Sequence, residues 1–322
     1  MKRWSRCLSF AAMLVMSASA VAQGAAFPNR PIKIIVYVTP GALVDTTTRA
    51  VAERMAESLK QPVIVENMPG ASGLLGIRYV KSQPADGYTL LAGTGTVPIG
   101  PILNAEPGYE LKDFTAVGAM NQGALVMVGS PNQPVKTLQE FIALAKQKPG
   151  EVTFASGGVG TTTYLAASLF MHQAGIKLLH VPYKGTAAAM PDVLGGRVNM
   201  MFDAESSEGP QVREGKLRAF GVSSPKRSKG LPDVPTIAEQ GLPNYSFTIY
   251  NGLLVRTGTP KEVVQRLASA LQAALANEGV RERMRKDGTE PWPLSPDEFN
   301  AYMRQDAERI GKLASDIGMP KQ

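Results

Sequence analysis

Side chains that commonly break or transfer bonds are few in this chain, and poorly spaced for that work. Among 322 residues there are two histidines, His172 and His180, and one cysteine, Cys7. Neither histidine stands in an H-E-x-x-H or similar ligand spacing, and a lone cysteine builds no thiolate metal site. Gly70-Ala71-Ser72-Gly73 misses the G-x-S-x-G nucleophile elbow by one position. A histidine-dependent serine hydrolase needs His172 or His180 as its base, and the pattern puts His172 in the middle of a helix. Gly70-x-x-Gly73-x-x-Gly76 lacks the G-x-G opening of a dinucleotide site, and no Walker loop occurs. The expectation is no catalytic residue, no metal and no cofactor.

Glycine- and hydroxyl-rich loops are what the chain offers instead. Thr39-Pro40-Gly41 and Gly93-Thr94-Gly95-Thr96 each follow a strand-like run, and Ser156-Gly157-Gly158-Val159-Gly160-Thr161-Thr162-Thr163 precedes a helical one. Loops of this composition leave backbone N–H groups unpaired at helix N-termini, where partial positive charge favours an anion. Any one of them alone reads better as an ordinary turn or cap. Three of them, divided between two parts of the chain, point to binding.

The elements that must hold these loops alternate strand and helix. Strand patterns fall at 32–38, 62–65 and 89–92, with helical patterns at 45–59 and 72–82 between them. The same grammar restarts near Leu125: helices at 138–147, 161–174 and 187–194, strands at 152–155, 178–182, 200–202 and 217–222. A strand at 250–255 and helices at 260–276, 280–286 and 296–314 complete the chain. Repeated strand–loop–helix units build parallel α/β sheets. Two α/β lobes are expected, residues 23–124 with 251–322 and residues 125–250. The chain crosses between them near 120–128 and 246–254, which makes a hinge with a cleft beside it.

Composition agrees with a globular chain. It is 44% hydrophobic and 19% charged, with scattered Gly and Pro, which excludes fibrous and disordered classes. One cysteine excludes a disulfide scaffold. Lys2, Arg3 and Arg6 precede an apolar run over 7–16, too short to span a bilayer, and then Ala20-Val21-Ala22. Residues 1–22 are read as a secretory leader cut after Ala22, with Ala20 as the alternative. The mature chain then has no cysteine, at ease in an oxidising compartment. The net charge of +7 for the whole chain is not that of a nucleic-acid binder: Lys226-Arg227-Ser228-Lys229 and residues 281–286 carry no interleaved aromatics and read as solvated surface.

Longer motifs carry a resemblance. Pro31-Ile32-Lys33 with Thr39-Pro40-Gly41 and Asp45, then Gln61-Pro62-Val63-Ile64-Val65-Glu66-Asn67-Met68-Pro69-Gly70-Ala71, resemble the opening of Bug-type substrate-binding receptors of tripartite tricarboxylate transporters. The likeness continues through Ala85-Asp86-Gly87-Tyr88, His180-Val181-Pro182-Tyr183-Lys184-Gly185, Met201-Phe202-Asp203 and Leu231-Pro232-Asp233-Val234-Pro235-Thr236, over nearly all of the mature chain. It implies a periplasmic-binding-protein-like fold closing on a small organic carboxylate, held by amides and hydroxyls rather than by arginine.

By the same resemblance Thr39, Gly41 and Asp45 form a first ligand loop, Thr94 and Gly95 a second, and Ser156, Gly160, Thr161 and Thr162 a third. Lys184, Gly185 and Asp203 line the far side. Asp203 is open to two roles, accepting from a ligand or capping a helix. Two departures bear on the ligand: Pro40-Gly41-Ala42-Leu43-Val44-Asp45 where relatives run through glycines, and Tyr164 where most relatives have histidine. The implied function is a monomeric, non-enzymatic periplasmic receptor that hands a carboxylate to membrane transporter subunits. Its rivals are a receptor signalling through a sensor partner and a two-lobed hydrolase.

Overall fold

The computed structural model describes residues 27–183, 185–319 and 321; the leader with its cleavage site, and Lys184, lie outside the described residues. The β-branched run Ile32–Val36 forms β1, and Ile32, Ile34, Ile35 and Val36 are fully buried. It pairs in parallel with β2 (Val63–Asn67) and β3 (Thr89–Thr94). The crossovers are α1 (Leu43–Leu59) and α2 (Leu74–Ser82). Helix α1 buries Val44, Val51, Met55 and Leu59 along one stripe and stops at Lys60, whose φ of 54° is left-handed. It starts two residues before Asp45. A short helix, α3 (Thr96–Leu103), follows β3 where the sequence reads as loop, with Pro98 in its first turn.

Strand β4 (Phe114–Gly129) joins the two parts of the sheet. From Phe114 to Ala124 it pairs antiparallel with β9 (Thr248–Arg256); from Leu125 on it pairs with β7 (Met200–Ala204) and β8 (Arg218–Val222). The full order is β2-β1-β3-β9-β4-β7-β5-β6, with β5 (Thr153–Ser156) and β6 (Leu179–Pro182) parallel to each other. Around this second part lie α4 (Leu138–Gln147), α5 (Thr162–Ala174), α6 (Thr186–Leu194) and α7 (Glu205–Arg213). The chain then returns along β9 through α8 (Lys261–Ala276), α9 (Glu278–Lys286), the three-residue β10 (Thr289–Pro291) paired to β4, and α10 (Pro296–Asp316).

Helix α10 begins at a capping box between Ser295 and Glu298. Its first turns put Phe299 and Met303 into the core beneath β3 and β9. Its last turns put Ile310, Leu313 and Ala314 into the other core, with Ile99 and Leu103 of α3 and Phe141, Phe154, Phe170 and Phe202 of the second part. Among the described residues no helix is long and apolar enough to cross a membrane.

Candidate functional site

Three helix N-termini meet at a cavity of about 240 Å³ between the two parts of the sheet. Its walls include Ala42, Leu43 and Val44 at the start of α1, Thr94, Gly95 and Thr96 at the start of α3, and Thr162 at the start of α5. The segment entering β9 closes the remaining side with Phe247 to Asn251, and α10 adds Asp306 and Arg309. A second cavity of about 120 Å³ shares Thr96, Ile99 and Thr162 with the first and reaches Val159, Gly160 and Thr161.

The first loop is held from below by Asp45. Oδ2 accepts from the Gly41 amide at 2.8 Å; Oδ1 accepts from Asn67 Nδ2 at 2.9 Å and pairs with Arg49 at 3.0 Å. Burial alone would raise this carboxyl, but the Gly41 amide, Arg49 and Asn67 together hold it below its ordinary value. Its two oxygens are therefore engaged within the protein, and its work is to position the loop. Gly41 needs its missing Cβ, since its φ is +86°. Thr39 and Gly41 are exposed at the loop tip. The N-cap of α1, Ala42, supplies no side-chain cap.

At the second loop, hydroxyls run in series. Tyr37, 4% exposed, accepts from the Thr94 amide at 3.1 Å and shares a short hydrogen bond with the Thr94 hydroxyl. Burial raises the Tyr37 phenol, so it stays protonated. Thr94 Oγ1 lies 3.2 Å from Thr96 Oγ1 and accepts from the Thr96 amide at 3.2 Å. Gly95, the N-cap of α3, has no side chain with which to cap it.

Within the third loop the hydroxyls serve the loop itself. Thr161 caps α5, its Oγ1 accepting from the Tyr164 amide and donating to Gly158 O at 2.7 Å, while its own amide donates to Gly158 O at 3.3 Å. Gly160 takes φ +82°, a turn that a side chain would strain. Ser156 is fully buried, with Oγ 2.7 Å from His180 Nε2 and accepting from the Gly158 amide at 3.1 Å. His180 is stacked on Phe154 at 4.7 Å and meets the edge of Tyr164 at 4.9 Å. Burial pushes its pKa down, so the ring is neutral at pH 7. Sequence spacing pairs no base with a nucleophile, whereas the structure brings this serine and histidine together, in a contact buried on the serine side and half-buried on the histidine side that ties the loop to β6.

Gly185 stands against this loop, for a Cβ on Gly157 would come 3.6 Å from the Gly185 Cα. Asp203 is buried on β7; its Oδ1 accepts from the Ala204 amide at 2.8 Å, and Thr186 and Glu208 also hydrogen-bond to it. Burial and the neighbouring Asp203 push Glu208 up to about 8. The two carboxyls thus share a proton at neutral pH.

Among the expected site residues, then, the structure brings Thr94, Gly95, Gly160, Thr161 and Thr162 to the two joined cavities. It places Asp45, Ser156 and Asp203 in supporting contacts around them. Asn251, Asp306 and Arg309 were missed. Asn251 lines the cavity and donates to Asn121 Oδ1 at 2.9 Å. Asp306 accepts from Tyr250 at 2.9 Å and from Arg309 at 2.7 Å, and Arg309 also donates to Ser246 O at 2.7 Å. The i,i+3 spacing of Asp306 and Arg309 forecasts their ion pair, but no local signal brings α10 to β9. Among the described residues no cluster of His, Cys, Asp or Glu suits a metal ion.

A curled α/β sheet in two parts, with a cleft at the ends of its strands floored by helix N-termini, is the architecture of the periplasmic-binding-protein class of solute receptors. The family model for the tripartite tricarboxylate transporter family receptor matches residues 47–319, and the chain belongs to that family. BugT of Bordetella pertussis is 32% identical over 295 residues, which are 91% of this chain and 90% of BugT. Among solved structures, Rpa4515 of R. palustris with adipate superposes with a TM-score of 0.79 at 30% identity, covering 91% of this chain and 98% of the other. MatC (Rpa3494) from Rhodopseudomonas palustris with bound malate gives 0.76 at 28% identity, covering 89% and 99%.

Proposed function

We propose that this chain is a periplasmic receptor that captures a small organic carboxylate in the cleft and hands it, as a monomer, to membrane subunits of a tripartite tricarboxylate-type transporter. The convergence of three helix N-termini on one cavity carries this reading, since the α1 terminus at Ala42 lacks a side-chain cap and so leaves first-turn amides for an anion. Thr39, Gly41, Thr94, Gly95, Thr161, Thr162, Lys184 and Gly185 form the ligand shell, held in place by Asp45, Ser156 and Asp203. Residues 23–124 with 251–322 and residues 125–250 act as the two lobes, hinged at β4 and β9. The carboxylates bound by two relatives support the ligand class.

Native mass spectrometry of freshly purified protein, followed by calorimetric titration of carboxylates, tests this. A retained or titrated carboxylate at micromolar affinity is the expected result; binding only of uncharged or cationic solutes would refute it. Among the described residues the Ser156–His180 contact is the feature a hydrolase could use, but Ser156 is fully buried and its Oγ already engages His180 and Gly158. Turnover of generic esters that disappears in Ser156→Ala would overturn the non-enzymatic reading.

A further inference from the structure

We infer that Asn251 determines specificity: its side-chain oxygen accepts a hydrogen bond from a hydroxyl or amino group carried on the skeleton of the bound carboxylate. This rests on the carboxylate reading of the same cavity and adds a requirement to it. Asn251 lines the cavity and is 7% exposed. In the sheet it stands directly opposite Thr94 of β3 on one side and Asn121 of β4 on the other. Directly opposed side chains share a face, so the Asn251 side chain lies beside that of Thr94, another residue of the cavity wall.

The contacts behind Asn251 fix which way its amide is turned. The Met284 carbonyl can only accept, so the Thr289 hydroxyl, 3.1 Å away, donates to it. That hydroxyl has one proton, so it must accept from Asn121, which meets it with Nδ2 at 2.8 Å. Asn121 Oδ1 is thereby turned toward Asn251 and accepts from Asn251 Nδ2 at 2.9 Å. Asn121 and Thr289 are both buried, and the order of donors and acceptors is set from end to end. Asn251 Oδ1 is left with no hydrogen-bond partner among the described residues. The neighbouring Thr94 hydroxyl does not serve it, being directed at Thr96 Oγ1 at 3.2 Å. A ligand that brings a donor satisfies this oxygen, whereas one without a donor displaces its water and leaves it unpaired.

The test is a calorimetric panel on the mature protein in pairs that differ by one hydroxyl or amino group: lactate against propionate, malate against succinate, aspartate against succinate. Such pairs hold the carboxylate contacts constant and isolate the added donor. In at least one pair the hydroxylated or aminated member should bind at least tenfold tighter. In Asn251→Leu that ratio should fall to near one. Because this variant also strips Asn121 of its donor, a second one acts from behind: Thr289 does not line the cavity. Thr289→Val releases the two asparagines to turn over and should shrink the ratio with little change for the unsubstituted member, while Thr289→Ser keeps the hydroxyl and should keep the ratio. Ratios near one in every wild-type pair, or an unchanged ratio in folded Asn251→Leu, would overturn the inference and leave the carboxylate reading standing. A ratio lost in Asn251→Leu but kept in Thr289→Val would overturn the positioning role of Thr289. If no carboxylate binds to folded protein, the carboxylate reading fails and this inference with it.

Discussion

Thr162→Pro separates a ligand-binding amide from a mere helix cap. Thr162 is the first residue of α5 and lines both cavities. Proline fits that position because its ring presets a helical φ, and a first-turn N–H has no partner within the helix. The preceding residue must be extended, and Thr161 is, at φ −74° and ψ 159°. From sequence alone Thr161 is the natural target, but its amide and hydroxyl are both spent inside the loop, on Gly158 O and the Tyr164 amide. A substitution there would loosen the loop as well as remove a donor. Thr162→Pro deletes one amide and one hydroxyl from the cavity wall and leaves the cap intact. A hydrogen bond to a charged group contributes about 1.5–3 kcal/mol, so affinity should fall roughly 10- to 150-fold for each of the two donors that meets the ligand. Thr162→Val removes only the hydroxyl and divides the two losses. Titration of the tightest carboxylate into both variants, with circular dichroism to confirm folding, decides the matter. Wild-type affinity in folded Thr162→Pro would refute the assignment of this helix end to the ligand.

Other outcomes follow from the same geometry. Asp45→Asn should lower stability by about 1–2 kcal/mol, through loss of the charge paired with Arg49 and held by the Gly41 amide, and should weaken carboxylate binding by freeing the first loop; unchanged melting and affinity would exclude its positioning role. Because Glu208 is raised from 4.5 to about 8, the folded protein keeps a proton that the unfolded chain releases, so stability falls as pH rises across that window. In Glu208→Gln that decline should flatten in melts taken from about pH 5 to pH 9, and an unaltered slope would place the effect elsewhere. Export should leave an intact mass starting at Gln23, and soluble periplasmic protein retaining residues 1–22 would contradict the leader. Saturating carboxylate should reduce the radius of gyration in small-angle scattering as the lobes close, whereas identical curves would mean a rigid receptor.

Local pattern made much of the fold legible. Helix α4 has the expected bounds, 138–147, because Thr137 caps it and Leu138, Phe141 and Ala145 supply the buried face. Helix α3 was hidden by Gly95, Pro98, Gly100 and Pro101, which read as loop; Pro98 stands in the first turn, where a missing N–H costs no hydrogen bond, and Pro101 gives up one interior bond. Helix α7 was hidden by Gly209 and by Pro210, which stands inside the helix and gives up one backbone hydrogen bond there. The glycine and threonine loops could be found because their chemistry is local. Partners brought together by sheet order could not. His180 reaches Ser156 because β6 pairs beside β5, and Asn251 reaches the cavity because β9 inserts between β3 and β4.

Helix α10 serves two cores, and this bears on how the protein comes apart. Two halves with separate interiors ordinarily melt separately, each at its own temperature. Here Phe299 and Met303 complete one interior while Ile310, Leu313 and Ala314 complete the other, on a single continuous helix. Disordering either half therefore removes packing from its neighbour, and β4, shared by both halves of the sheet, couples them again through its backbone. Calorimetry should show one endotherm with equal calorimetric and van't Hoff enthalpies, and truncation before Ile310 should split or broaden it.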